Sequence, residues 1–183
     1  MEEVKKRKTP RHQIFDYNKV GVYFITICTQ NKQPLLSRIV GTYNLDCPSV
    51  ITDIEEYPKI KLTRYGEIAE KYIKQLNSFY DHLSIEDYVI MPNHIHILLW
   101  VKENIHENVP SRTQYPTNVE RANSVCSQFV STFKRFCNKE YGKNIWQSRF
   151  NDHVIRNSED YEKHVKYIFE NPIRWYYNEI CEE

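Results

Sequence analysis

Two runs of strand-forming residues, Asp87–Met91 and His94–Val101, are separated only by Pro92 and Asn93, and no other feature of the chain limits its fold as tightly. β-branched and aromatic residues suit a pleated, half-buried surface. A connection this short between two such runs predicts an antiparallel hairpin. Upstream, Val22–Thr29 (VYFITICT) follows Gly21 and reads as a first strand. Between them, Ile68, Ala69, Tyr72, Ile73 and Leu76 recur at helical spacing, with Thr63 as N-cap and Glu67 in the first turn. Residues 30–60 carry no regular pattern.

Beyond the hairpin, residues 102–118 hold Pro110 and Pro116 among polar residues without periodicity, which predicts a long flexible loop of the kind that often serves function. Val125, Phe129, Phe133 and Phe136 then mark a helix from about Val119 to Lys139. Ile145–Phe150 and Val154–Ile155 suggest a short last strand. Ser158 is expected to cap a final helix running toward Ile180, kinked near Pro172 because proline lacks a backbone donor. The order β-α-β-β-α-β-α fits an α+β fold: a split βαβ (ferredoxin-like) antiparallel sheet with helices on one face and an appended C-terminal helix.

At 183 residues with 40% hydrophobic content, the chain can bury one ordinary core but not two. We expect a basic arm over residues 1–18 and a single domain over 19–183. The net charge of +1 carries no message about partners, but its distribution is uneven. Lys5, Lys6, Arg7, Lys8 and Arg11 crowd the arm, Lys134, Arg135, Lys139, Lys143 and Arg149 recur late, and Asp46, Asp53, Glu55 and Glu56 form an early acidic patch. Five widely spaced cysteines without a C-x-x-C pair fit reduced thiols in a cytosol. No apolar run approaches the ~18 residues of a membrane helix, and no secretory h-region follows the basic start. The expectation is a cytoplasmic protein with no membrane partner.

His94 and His96 lie two apart in a strand pattern, so their side chains leave the same face of the sheet. Paired imidazoles suit a divalent metal, although two ordinary polar residues on a half-exposed strand give the same pattern. On the last helix, Tyr161, Val165, Ile168 and Pro172 form the natural core stripe. Tyr167 lies off it, with Lys163, Glu170, Asn171 and Arg174 within about 60° of it by helical arithmetic. Asn171, one turn beyond Tyr167, offers an amide oxygen to a hard cation. A surface tyrosine is the competing reading.

Four blocks, Tyr88–Ile97 (YVIMPNHIHI), Ile145–Phe150 (IWQSRF), Asp152–Arg156 (DHVIR) and Tyr167–Pro172 (YIFENP), together with Tyr23–Gln30, closely resemble the REP-associated tyrosine transposases, single-tyrosine enzymes with a His-hydrophobic-His motif. The resemblance implies that His94 and His96 are metal ligands, that Asn171 is the third protein ligand, and that Tyr167 is the nucleophile. It implies Mg²⁺ or Mn²⁺ as cofactor, a 5′-phosphotyrosine intermediate, and nicking and rejoining of single-stranded DNA at hairpin-forming repeats, by a monomer or homodimer. Lys163, Lys166 and Arg174 would line the path of a phosphate backbone, and Arg7, Lys8 and Arg11 would reach a hairpin groove. Tyr23, Trp146 and Trp175 are candidate platforms for unpaired bases. His153 and Arg156 match a family block without a derivable role.

Two other readings share these residues. A split βαβ sheet also serves single-stranded nucleic-acid-binding modules, although no strand carries the aromatic signature of RNA-recognition domains. A hydrolytic metal nuclease would use His94 and His96 without a covalent step and would be indifferent to Tyr167→Phe.

Overall fold

The computed structural model describes residues 20–41, 57–103 and 124–181, with side chains of the last helix described as far as Asn178. In chain order its elements are β1 (Gly21–Cys28), β2 (Ser37–Val40), β3 (Lys59–Leu62), α1 (Arg64–Phe79), β4 (Leu83–Ile90), β5 (His94–Val101), α2 (Val125–Tyr141), β6 (Asn151–Val154) and α3 (Ser158–Cys181). The basic arm with Arg7, Lys8 and Arg11 lies outside the described residues, as do the early acidic patch, residues 104–118 of the expected loop and residues 119–123 of the expected second helix.

β4, β5, β1 and β6 form one sheet in that order, every neighbouring pair antiparallel. The split βαβ topology expected from the sequence is therefore present, with β5 and β1 central. Alternation along these strands sorts the side chains into two layers. Tyr23, Ile25 and Ile27 of β1 and Ile95, Ile97 and Leu99 of β5 face one way and pack with Ile73 and Leu76 of α1 and Phe129 and Phe133 of α2. Phe24 and Leu98 face the other way, where Val89, Met91 and Ile168 of α3 join them. Two helices thus cover one face and the appended helix covers the other.

Local chemistry explains where the helices start and stop. The Thr63 hydroxyl accepts from the Gly66 N–H at 3.3 Å, as expected of an N-cap. Gly66 is required by packing, since a Cβ at that position would run into the Leu36 carbonyl. Ser124 caps α2 by accepting from Ser127 N–H, and α2 ends at Gly142, whose φ of 71° is a left-handed cap.

Several expectations are corrected. Residues 30–60 hold a two-stranded ribbon, β2 with β3, where no strand was foreseen. The last strand is Asn151–Val154. Ile145–Phe150 runs outside it, tied down by the Thr29–Trp146 bridge and by Lys134 Nζ donating to the Gln147 carbonyl at 2.8 Å. Asn157 caps α3 in place of Ser158, its Oδ1 accepting from Asp160 N–H at 2.8 Å. The final helix continues through Pro172, which is buried, to Cys181. Cys28, Cys126 and Cys137 form no disulfide. Among the described residues, no helix is long and apolar enough to cross a membrane.

Candidate active site

The pairing of β1 with β5 sets Thr26 opposite His96 and Cys28 opposite His94. Both imidazoles leave the face that α3 covers, and their ring centroids lie 4.5 Å apart. Each is held through its Nδ1. The Asn93 amide oxygen sits 2.6 Å from His94 Nδ1, and because that oxygen only accepts, Nδ1 carries the hydrogen and Nε2 presents its lone pair. Thr26 Oγ1 lies 2.9 Å from His96 Nδ1 and can do the same for His96.

Burial, with help from the Lys32 charge, pushes His94 down to about 4, and burial with His94 and His164 nearby pushes His96 down to about 3. Both rings are therefore neutral at physiological pH. His96 is 4% exposed, and its Nε2 is buried without a hydrogen-bond partner. An orphaned polar atom of this kind costs the fold roughly 1–3 kcal/mol unless something binds it. Two neutral imidazoles with such a nitrogen fit a divalent ion.

Tyr167 reaches this pair from α3. Its ring lies 5.2 Å from that of His96 and 6.0 Å from that of Phe24, and the residue is 41% exposed. Tyr167 and His96 share a cleft of about 620 Å³, walled from the sheet by Phe24 and Thr26 and from the helix by His164, Lys163, Lys166, Glu170 and Arg174. A larger groove of about 950 Å³ between α1 and α2, lined by Tyr72, Phe79 and Phe136, holds no imidazole, so size alone does not mark the chemistry.

The structure thus brings Tyr167, His94 and His96 to one face. Asn171 is on the same helix and buried, but does not line the cleft. Lys163, Lys166 and Arg174 do line it, yet Glu170 accepts from Arg174 at 2.8 Å and lies 3.6 Å from Lys166, so part of their charge is already matched. Those two partners hold the Glu170 carboxyl below the ordinary range, the Arg174 hydrogen bond most of all.

Tyr23 and Trp146 are 0% and 1% exposed, which removes them as base-stacking platforms; they are core. Trp175 is half-buried, its ring 6.2 Å from His94. Sequence reasoning missed Phe24, Thr26, Asn93 and His164. Phe24 and Thr26 were legible as the residues of β1 that share a face, and His164 as the residue one turn before Tyr167. Asn93 was assigned only to the turn.

No protein-family model matches the chain. Its relatives are more informative. An uncharacterized protein of Haemophilus influenzae is 27% identical over 179 residues, spanning 92% of this chain and 89% of that protein. The REP-associated tyrosine transposase of Escherichia coli is 32% identical over 158 residues, spanning 86% of this chain and 70% of the relative. A solved REP-associated tyrosine transposase, bound to a REP hairpin, matches with a TM-score of 0.57 over 92% of this chain and 74% of that one, at 23% identity, which speaks for the shared fold. Given the extent of the Escherichia coli match, with a tyrosine beside paired histidines on the same fold, this chain belongs to the REP-associated tyrosine transposases.

Proposed function

We propose that this DNA-processing protein nicks and rejoins single-stranded DNA at hairpin-forming repeats through a 5′-phosphotyrosine on Tyr167, using Mg²⁺ or Mn²⁺ held by His94, His96 and Asn171. The observation that carries the reading is the buried, unpartnered Nε2 of His96 beside the Tyr167 ring, 5.2 Å between centroids. Asn171, buried one turn beyond Tyr167, would supply its amide oxygen as the third ligand. When bound, the ion polarises the scissile phosphate and offsets charge on the departing 3′-oxygen.

Tyr167 gives up its phenolic proton to solvent on the open side of the cleft and attacks phosphorus. The new bond joins Oη to phosphorus, the bond to the 3′-oxygen breaks, and that oxygen takes up a proton to become a free 3′-hydroxyl. One phosphodiester replaces another, so attack by a new 3′-hydroxyl reverses the step and rejoins strands without a nucleotide cofactor. Thr26 and Asn93 keep the imidazoles turned to present Nε2. Lys163, Lys166 and Arg174 guide the backbone phosphates, with Arg7, Lys8 and Arg11 on the hairpin. A solved relative is bound to a REP hairpin, which supports that substrate class. Tyr167 stands beside His96 of its own chain, which fits a monomer, or a homodimer whose sites are each built from one chain.

The test is to incubate 5′- and 3′-labelled hairpin single strands with protein and Mn²⁺ and resolve them on a denaturing gel. Wild type should yield a covalent adduct on the 5′ end of the downstream product. Tyr167→Phe should yield none while still binding DNA. Cleavage of equal rate by Tyr167→Phe would establish the hydrolytic nuclease instead, and binding without cleavage by wild type would leave a binding module.

A further inference from the structure

His153 has no role in the reaction above, and His164 enters it only as part of the wall of the cleft. The pairing of β6 with β1 sets His153 opposite Phe24, hence on the face that α3 covers. His164 stands on α3 one turn after Asp160, and the two imidazole rings stack 4.8 Å apart with 19° between their planes. Asp160 lies between them. His153 Nε2 is 2.9 Å from Asp160 Oδ2 and 3.2 Å from Oδ1, and His164 Nδ1 is 3.2 Å from Oδ1. One ligand atom from each residue falls within 4.8 Å of the others, and among the described residues this is the one such cluster of three.

We propose that His153, Asp160 and His164 form a second divalent-metal site, suited to a borderline ion such as Zn²⁺ or Ni²⁺, that clamps β6 to the first turns of α3. Two imidazoles and one carboxylate are the donor set such ions take with open positions left for water. Mg²⁺ prefers oxygen donors and is the weaker candidate. Ligand atoms about 2.1 Å from a shared ion lie roughly 3–3.5 Å apart, so the widest separation in the cluster must close by roughly 1.5 Å. His153 can make that movement, because its side chain is 46% exposed. The ion takes the place of the proton between His153 and Asp160, and His153 keeps its remaining hydrogen on Nδ1; His164 Nδ1, which donates to the Asp160 carbonyl oxygen at 2.7 Å, gives up that bond and carries its hydrogen on Nε2 when the ion binds. Partial burial raises the Asp160 carboxyl, but hydrogen bonds from His153 and the Arg156 N–H, with the charges of His153 and His164, outweigh it and hold the group below the ordinary range.

The site is separate from the paired histidines. It shares no ligand with them, although the two are neighbours: the Phe24 ring contacts both His96 and His164, at 4.9 and 4.6 Å between centroids, and His164 helps wall the cleft that His96 lines. The alternative is a purely hydrogen-bonded cap, in which Asp160 Oδ2 accepts from His153 and from the Arg156 N–H at 3.1 Å and needs no ion.

Full-length protein stripped with chelator should be titrated with Zn²⁺ by calorimetry, and with Co²⁺ by its visible spectrum. Wild type should take up two ions per chain, His153→Ala one and His94→Ala one. Zn²⁺ should raise the melting temperature of His94→Ala by several degrees and leave that of the His94→Ala/His153→Ala double variant unchanged. A single wild-type ion lost in His153→Ala and kept in His94→Ala would uphold this site and overturn the ion of the proposed reaction. A stoichiometry that His153→Ala does not lower, or no Zn²⁺ effect on the melting of His94→Ala, overturns the second site.

Discussion

A histidine removed from water loses the solvation of its charged form, and the fold does this twice, side by side, at His94 and His96. Their ordinary value is near 6.5, and burial takes them to about 4 and about 3. Above pH ~6.5 both folded and unfolded chains hold them neutral. Between ~6.5 and ~4 the unfolded chain binds protons that the folded chain refuses, so stability falls as pH falls. Metal-free wild type should therefore lose more melting temperature between pH 7 and pH 4.5 than His94→Gln/His96→Gln does. Parallel losses in a thermal-melt series would show that the imidazoles are not buried neutral. Thr26 gives a second residue-scale expectation, since its hydroxyl stands 2.9 Å from His96 Nδ1. Thr26→Val keeps the shape and removes that contact, so Mn²⁺ affinity measured by calorimetry should drop about 10–100-fold. An unchanged affinity would leave Thr26 a packing residue.

At the scale of elements, Gly66 shows how closely α1 is pressed on the chain that leads into β2. Thr63 N–H donates to the Leu36 carbonyl at 2.9 Å, and that same carbonyl occupies the space a Cβ on Gly66 would need. Gly66→Ala would ordinarily favour a helix, yet here it should lower unfolding free energy by about 1–3 kcal/mol, read from urea denaturation. A stabilised variant would mean that α1 is not seated there. The elements also show what a sequence can disclose. α1 was legible because Thr63, a capping hydroxyl, precedes apolar residues at a 3.6-residue period. β5 was legible because His94–Val101 follows a two-residue turn. β2 and β3 were not, since Ser37–Val40 and Lys59–Leu62 are four residues each and half-exposed, pairing across a long separation that local pattern cannot reveal. β6 was misplaced because Ile145 and Trp146 look like strand residues and are buried as such, but their backbone meets the sheet only through the bridge to Thr29. Asn157 won the cap from Ser158 because either residue can fill that role and only backbone geometry chooses between them.

Over the whole molecule the sheet separates two layers with different duties. The layer under α1 and α2 is apolar and closed, with Phe133 fully buried beside Phe129, Ile25 and Ile97. Phe133→Ala should cost about 3–5 kcal/mol in urea unfolding, while DNA cleavage by the fraction still folded stays close to wild type. Loss of cleavage at full folding would couple that layer to the site. The layer under α3 sets imidazoles and a half-exposed phenol beside a smaller apolar cluster of Phe24, Val89, Met91, Leu98 and Ile168. Its histidine pair was readable from residues two apart on a strand, and Tyr167 from its place off the core stripe. Their meeting was not readable without the fold, because β5 and α3 are joined only by packing across the sheet. That arrangement has a consequence for how the protein is made. His94 and His96 leave the ribosome before Tyr167, which stands on the described helix that covers their face of the sheet. A chain cut short before β6, or still being synthesised, carries the two histidines without Tyr167 or Asn171, and so on the proposed chemistry cannot break the genome of the cell translating it.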